Sequence, residues 1–310
     1  MPGYSDALHK AKEPLPIIHG LPIIRLWDAG GTPSCCPADA RIVMANGRPE
    51  RIDSIVSGTS AVEAVGDPAV VLKAGTVREA RMTGWKRCVM VETKHRWLRV
   101  SEDHPVLIAA PVLRAYTSFG DRGSTNWWTL RWKPAGEIEA GEWLISASQL
   151  PVFSPDPVPP MPWPLSAALL ELIGAWLGDG CYGSRQGQAM AINWASGDEA
   201  ISQRWSDLCR LAFGKAGAIY GTGGRASVSL NSAPSARAFQ SIGLVGKSRT
   251  KRIPAWCFGL PPELRLALLR GLLDSDGTVL KGEGTVRWSM TGVDLIWDIW
   301  ALCQTLGIQS

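Results

Sequence analysis

Leu172-Ile173-Gly174-Ala175-Trp176-Leu177-Gly178-Asp179-Gly180 and Leu269-Arg270-Gly271-Leu272-Leu273-Asp274-Ser275-Asp276-Gly277 are two versions of one pattern, with their last acids 97 residues apart. Each places small residues four apart, Gly174 with Gly178 and Gly271 with Ser275, and at helical spacing such pairs share a face. A face cleared of side chains lets two helices meet backbone to backbone, so Asp179 and Asp276 would finish side by side. Each acid sits where its helix ends, before a Gly suited to the left-handed C′ position. The partial negative charge of a helix terminus disfavours an acid there, and two adjacent acids repel each other. A cation is required. Hard divalent ions such as Mg²⁺ prefer carboxylate and water oxygens, and a metal so held can activate water and stabilise a leaving oxygen in phosphodiester hydrolysis. GDG and DG also close ordinary core helices, so it is the repetition at domain-like spacing that argues for a paired site.

Between the two motifs the charge is lopsided. From residue 204 to 252 the basic residues are Arg204, Arg210, Lys215, Arg225, Arg237, Lys247, Arg249, Lys251 and Arg252, against the single acid Asp207. That is a local footprint for phosphates, although the whole chain carries only +4. In Arg225-Ala226-Ser227-Val228-Ser229-Leu230-Asn231 polar and apolar side chains alternate. A strand there would bury Ala226, Val228 and Leu230 and offer Arg225, Ser227, Ser229 and Asn231 to base edges. The surrounding order reads helix, GDG, strand, helix, strand, helix, Lys-Arg-Ile-Pro, helix, DSDG, strand, helix, with Ser196 or Asp198 as one helix cap.

These features resemble the paired motifs of LAGLIDADG homing endonucleases, and Lys251-Arg252-Ile253-Pro254 resembles that family's conserved block. The resemblance implies an α/β domain of two pseudo-twofold repeats over residues 165–310, the second incomplete. It implies Asp179 and Asp276 as catalytic residues that bind Mg²⁺, and Lys251 as their electrostatic helper. It also implies a double-stranded DNA target, read with the help of Arg249 and Arg252, and a monomeric enzyme, since both motifs lie in one chain.

Upstream, residues 151–164 (PVFSPDPVPPMPWP) carry seven prolines, which deny the segment helix and sheet and mark a linker. Before it, from residue 35 to 150, short β-rich runs such as ARIVM, RCVMVET and RWLRV alternate with Gly-containing turns, the pattern of an all-β unit. A length of 310 residues suits two domains and a small extra segment. The 45% hydrophobic content suits folded cores, and the sequence has neither an apolar run long enough to cross a bilayer nor a signal-peptide start, so a cytoplasmic setting is expected. Seven cysteines without framework spacing support neither a disulfide scaffold nor a zinc ribbon and leave room for a nucleophilic thiol.

Cys35-Cys36-Pro37-Ala38-Asp39-Ala40-Arg41-Ile42-Val43 resembles the opening block of inteins and the wider hedgehog/intein fold. Ser101-Glu102-Asp103-His104 resembles its T-x-x-H block, with Ser101 in place of Thr. Ala140-Gly141-Glu142-Trp143-Leu144 resembles its late Gly-Asp turn, with Glu142 for Asp. The implied chemistry is attack by the Cys35 thiolate on the Ser34 carbonyl, forming a thioester, while His104 protonates the departing amide nitrogen and Ser101 helps to orient the bond. Cys36 is a rival nucleophile, but the spacing to Asp39 and Ala40 favours Cys35. Residues 1–34 would then be host sequence (extein), and residues 21–34 resemble the start of a phage terminase nuclease domain. The His-Asn end that splicing needs is missing, as are the last strands of the second repeat, which is expected of a truncated element rather than a split or decayed one. Two rival readings are a non-cleaving LAGLIDADG protein, of maturase or regulator type, and a hedgehog-like autoprocessing domain.

Overall fold

The computed structural model describes residues 23–26, 34–65, 71–94, 96–112, 127–221, 226–280 and 285–309. The chain divides into two compact units, one holding residues up to 45 and 49–153, the other residues 46–48 and 154–309.

The first unit is built from β1 (Ile23–Leu26), β2 (Ser34–Pro37), β3 (Arg41–Val43), β4 (Pro49–Arg51), β5 (Ser60–Val65), β6 (Val71–Thr76), β7 (Ala80–Gly84), β8 (Cys88–Glu92), β9 (Trp97–Ser101), β10 (Pro105–Val112), β11 (Trp127–Pro134) and β12 (Trp143–Leu144). Its only described helices are single 3₁₀ turns at Ile52–Ser54 and Ala135–Glu137. The strands pair as β2-β1-β7, as β11-β10-β12 and as the hairpins β3-β4, β5-β6 and β8-β9, and no closed barrel forms among the described residues. Ile52, Val100, Val106, Ala135 and Cys36 make its main core, and Met44, Ala61 and Val77 a second. Residues 1–22 and 27–33, which include most of the expected host stretch, lie outside the described residues.

The second unit follows a Pro-rich stretch without helix or strand, whose Trp163 ring nonetheless packs edge-on against Phe213 at 4.9 Å and Phe239 at 5.8 Å. Helix α1 (Ala167–Asp179) opens where the Ser166 hydroxyl accepts from the Leu169 amide, satisfying one of the free N–H groups of the first turn. Its residues Leu169 to Leu177 are all buried, so it is a core helix apolar on every side. It runs without a loop into β13 (Gly180–Arg185), which turns through Gln186 and Gly187 into β14 (Gln188–Ser196). Both turn residues have positive φ (52° and 78°), and this two-residue turn is why one strand expected after Asp179 is in fact a hairpin.

Helix α2 (Glu199–Phe213) is capped by Asp198, which accepts from Ala200 and Ile201, while Ser196 braces that cap through its hydroxyl. Next come β15 (Ala218–Tyr220), β16 (Ala226–Leu230) and α3 (Ala233–Ser241). The antiparallel sheet has the order β13-β14-β16-β15. A second unit of the same kind begins with α4 (Pro262–Asp276), β17 (Gly277–Leu280), β18 (Thr285–Trp288) and α5 (Val293–Thr305), again helix straight into hairpin into helix. No helix among the described residues is long and apolar enough to span a membrane.

Candidate active site at the ends of two crossing helices

Helices α1 and α4 cross with almost nothing between them. A Cβ built on Gly174 would land on the Leu268 carbonyl oxygen and 2.9 Å from the Leu272 nitrogen; one on Gly271 would land on the Glu171 carbonyl oxygen and 2.6 Å from the Ala175 nitrogen. One on Gly178 would strike Ser275 and come 2.9 Å from a carboxylate oxygen of Asp276. The small residues therefore have the use that their spacing suggests, and Asp276 is delivered against the residue before Asp179. The glycines after the acids work differently from the expectation. Gly180 (φ −84°) and Gly277 (φ −88°) are extended rather than left-handed, because each opens a strand at once. Side chains are excluded there by crowding: a Cβ on Gly180 would meet Trp176, and one on Gly277 would lie 2.8 Å from the Leu273 Cα.

Asp179 faces solvent and Asp276 is half-buried. Partial loss of water pushes the Asp179 carboxyl above its ordinary range, with Lys251 opposing. The same desolvation raises Asp276, reinforced by the charge of Asp179 and opposed by Lys251. The pair is thus a site of frustrated negative charge. Among the described residues no group of three or more His, Cys, Asp or Glu converges, so a divalent ion here would take its remaining oxygens from water and phosphate, as Mg²⁺ commonly does. Two such acids, one open to solvent, fit a metal of that kind.

Lys251 is only 3% exposed. Its ammonium donates to the carbonyl oxygens of Trp176 (2.6 Å), Gly178 (3.1 Å) and Gly180 (2.7 Å), and it lies 4.5 Å from the centre of the Trp176 ring. Burial brings its pKa down to about 8, while Asp179, Cys181 and Asp276 pull the other way.

Other expected contributors are distributed unevenly. Arg252 forms a two-pronged pair with Asp298 at 2.7 Å, and Asp298 also accepts from the Ile253 amide at 2.9 Å; this arginine locks α5 in place instead of standing free on a DNA face. Arg204 pairs with the buried Glu171, which Arg270 also reaches at 3.3 Å. Lys215, Arg237, Lys247 and Arg249 are exposed, so the basic footprint is narrower than its sequence count. Arg225 lies outside the described residues.

In β16, Ala226, Val228 and Leu230 are buried as the alternation implies. Ser227 is half-buried, but Ser229 is 9% exposed and donates to Asn231, whose amide donates to the Tyr220 hydroxyl at 3.2 Å. The ladder aligns Cys181 with Asn193, Ser229 and Ala218, and Ala195 with Ser227 and Tyr220. Directly paired positions share a sheet face, so Asn193 and Tyr220 join the expected serines. Sequence reasoning missed both because β14 and β15 were not separated from their partners.

In the first unit, Ser101 is fully buried at the end of β9, and His104 immediately precedes β10, its amide donating to the Ser101 carbonyl at 3.0 Å. The sulfur of Cys36, in β2, lies 3.9 Å from His104 Nδ1. Cys35 sits beside it in the same strand, with its side chain outside the described residues. Glu142 accepts from Lys133 at 2.9 Å and from the Glu139 amide at 2.8 Å, after Gly141 at φ 97°.

Residues 263–310 match the family model of the LAGLIDADG-like domain, so the later part of this sequence carries a LAGLIDADG-like segment. Over 305 aligned residues, 91% of this chain, the sequence is 28% identical to an iron-sulfur cluster assembly SufBD family protein of Mycobacterium leprae, covering 32% of that protein. Over 139 residues, 42% of this chain, it is 33% identical to a DNA polymerase of Thermococcus hydrothermalis, covering 8% of it. The chain therefore spans a third or less of the length of either relative.

Proposed function

We propose that the chain carries a metal-dependent, site-specific DNA endonuclease of the LAGLIDADG homing type, set within a protein-splicing element that begins at Cys35. The observation that carries the endonuclease is the meeting of Asp179 and Asp276 at the ends of two helices pressed together at Gly174 and Gly271. Asp179 and Asp276 would hold Mg²⁺, which when bound supplies a Lewis acid for phosphodiester hydrolysis. The chain's own groups set the two acids, and the sheet face of Asn193, Ser227 and Tyr220, with Lys247 and Arg249, would meet the duplex, the buried Ser229 bracing Asn231. It would act as a monomer.

For splicing, the support is that Cys36, next to Cys35 in β2, lies 3.9 Å from His104 Nδ1, and the His104 amide donates to the carbonyl of the buried Ser101. The relatives add to it. Overlapping parts of one chain are similar to 32% of an assembly protein and to 8% of a polymerase, as an element inserted in different hosts would be. The Cys35 sulfur would bond to the Ser34 carbonyl carbon, the C–N bond would break, and His104 would give the freed amine its proton.

Two assays test the reading. A supercoiled plasmid bearing the uninterrupted host junction should be linearised with Mg²⁺ by the wild-type chain but not by Asp179→Asn; duplex binding without cleavage would favour the non-cleaving alternative. Dithiothreitol or hydroxylamine should release residues 1–34 from wild type and Cys36→Ala but not from Cys35→Ala, and the reverse pattern would move the nucleophile to Cys36.

A further inference from the structure

We infer that Lys251 is a positioning residue: its ammonium knots the carbonyls of Trp176, Gly178 and Gly180 and so fixes where Asp179 stands, without itself reaching DNA. This rests on the endonuclease reading, and gives its lysine a different task from electrostatic help at the reacting phosphate.

The geometry is specific. A lysine ammonium has three N–H donors, and all three have acceptors within the protein at 2.6, 3.1 and 2.7 Å. None remains for a phosphate or for an attacking water. The three carbonyls bracket Asp179 in sequence, two before it and one after. They belong to the last turn of α1 and the first residue of β13, where a helix leaves carbonyls without intrahelical partners. The Trp176 oxygen already accepts the Gly180 amide as the helix closes, so Lys251 ties helix end and strand start into one knot. A cation there also complements the negative end of the helix. The Trp176 ring covers the ammonium and excludes water from it.

Positioning and charge make opposite predictions for metal affinity. A lysine serving by its charge repels a divalent ion beside it, so Lys251→Met would bind Mg²⁺ as tightly as wild type or more tightly, and Lys251→Arg would behave as wild type. A lysine that places Asp179 has another signature. Both Lys251→Met and Lys251→Arg would weaken Mg²⁺ binding by about 10-fold or more, since neither a thioether nor a planar guanidinium can meet three carbonyls converging on one point.

The experiment is calorimetric titration of the full chain with Mg²⁺ alone, without DNA, for wild type and both variants. Weakening in both variants is the expected result; unchanged or tighter binding in Lys251→Met, or wild-type affinity in Lys251→Arg, overturns the inference. Because a variant can fail to fold, the wild-type protein supplies an independent measurement. In ¹⁵N,¹³C-labelled chain, Lys251 Nζ should show couplings across hydrogen bonds to the Trp176, Gly178 and Gly180 carbonyl carbons, with and without saturating Mg²⁺. Their absence, or their loss when Mg²⁺ is added, sinks the proposal. A wild type that binds no Mg²⁺ would instead remove the endonuclease reading, while the couplings would still decide the placement of Lys251.

Discussion

Gly174 and Gly271 each rest on the backbone of the other's helix, the first over the Leu268 carbonyl and the second over that of Glu171. Adding one methyl at either site forces the helices apart, and overpacking of this kind costs about 1–3 kcal/mol. Gly174→Ala and Gly271→Ala should therefore lower the thermal midpoint by several degrees and weaken Mg²⁺ binding at the acids beyond. As a control, Gly187→Ala, at φ 78° with nothing within 4 Å of the new Cβ, carries only local backbone strain. It should leave Mg²⁺ affinity unchanged in the same titration.

The charge of Asp179 opposes ionisation of Asp276. Asp276→Asn should abolish Mg²⁺ binding and reduce plasmid cleavage by roughly 100-fold or more, the scale of losing one main electrostatic contact to the reacting group. Since partial burial raises both carboxyls, protons compete with the metal above the ordinary aspartate range. Mg²⁺ affinity should fall progressively as pH is lowered from neutrality. A flat affinity down to pH 4 would show that the pair is not the ligand.

Exposed and paired basic residues should separate in salt titrations of duplex binding. Removing one phosphate contact reduces the slope of log affinity against log salt by about 0.9. Lys247→Ala and Arg249→Ala should each approach that change. Arg204→Ala should leave the slope alone and instead destabilise the chain, because it strips a partner from Glu171, which is 2% exposed.

Asp298 should leave a mark on stability against pH. Burial raises its pKa from 3.8 to about 6, with Arg252 and the Ile253 amide opposing. Between those values the folded chain binds more protons than the unfolded one, so this group's contribution to stability declines as pH rises from about 4 to 6. Asp298→Asn should flatten that part of a denaturant-midpoint profile. An identical profile in the variant would mean that the folded and unfolded carboxyls titrate alike.

The paired motifs were readable because their information is local and repeated: small residues four apart can only clear a helix face, and two acids at matching helix ends point to one place. The alternation at Ala226-Ser227-Val228 gave its strand for the same reason. Asn193 and Tyr220 were not readable, since their face depends on which strands pair, and pairing is a non-local choice. Arg252 looked like a phosphate ligand because its partner Asp298 is 46 residues away. Lys251 shows the same limit: a lysine in a basic run reads as one more charge for phosphate, and its carbonyl partners, more than 70 residues earlier, are visible only in the fold.

Asp179 ends α1 and Gly180 begins β13, with no residue between them. The distance from the acid to the first outward position of the sheet, Cys181, is thus a covalent ruler of two peptide steps, each about 3.8 Å between Cα atoms. Side chains farther along the sheet can change, and with them the chemistry that the face presents, while the ruler keeps its length. The face can therefore be rewritten without moving the acid.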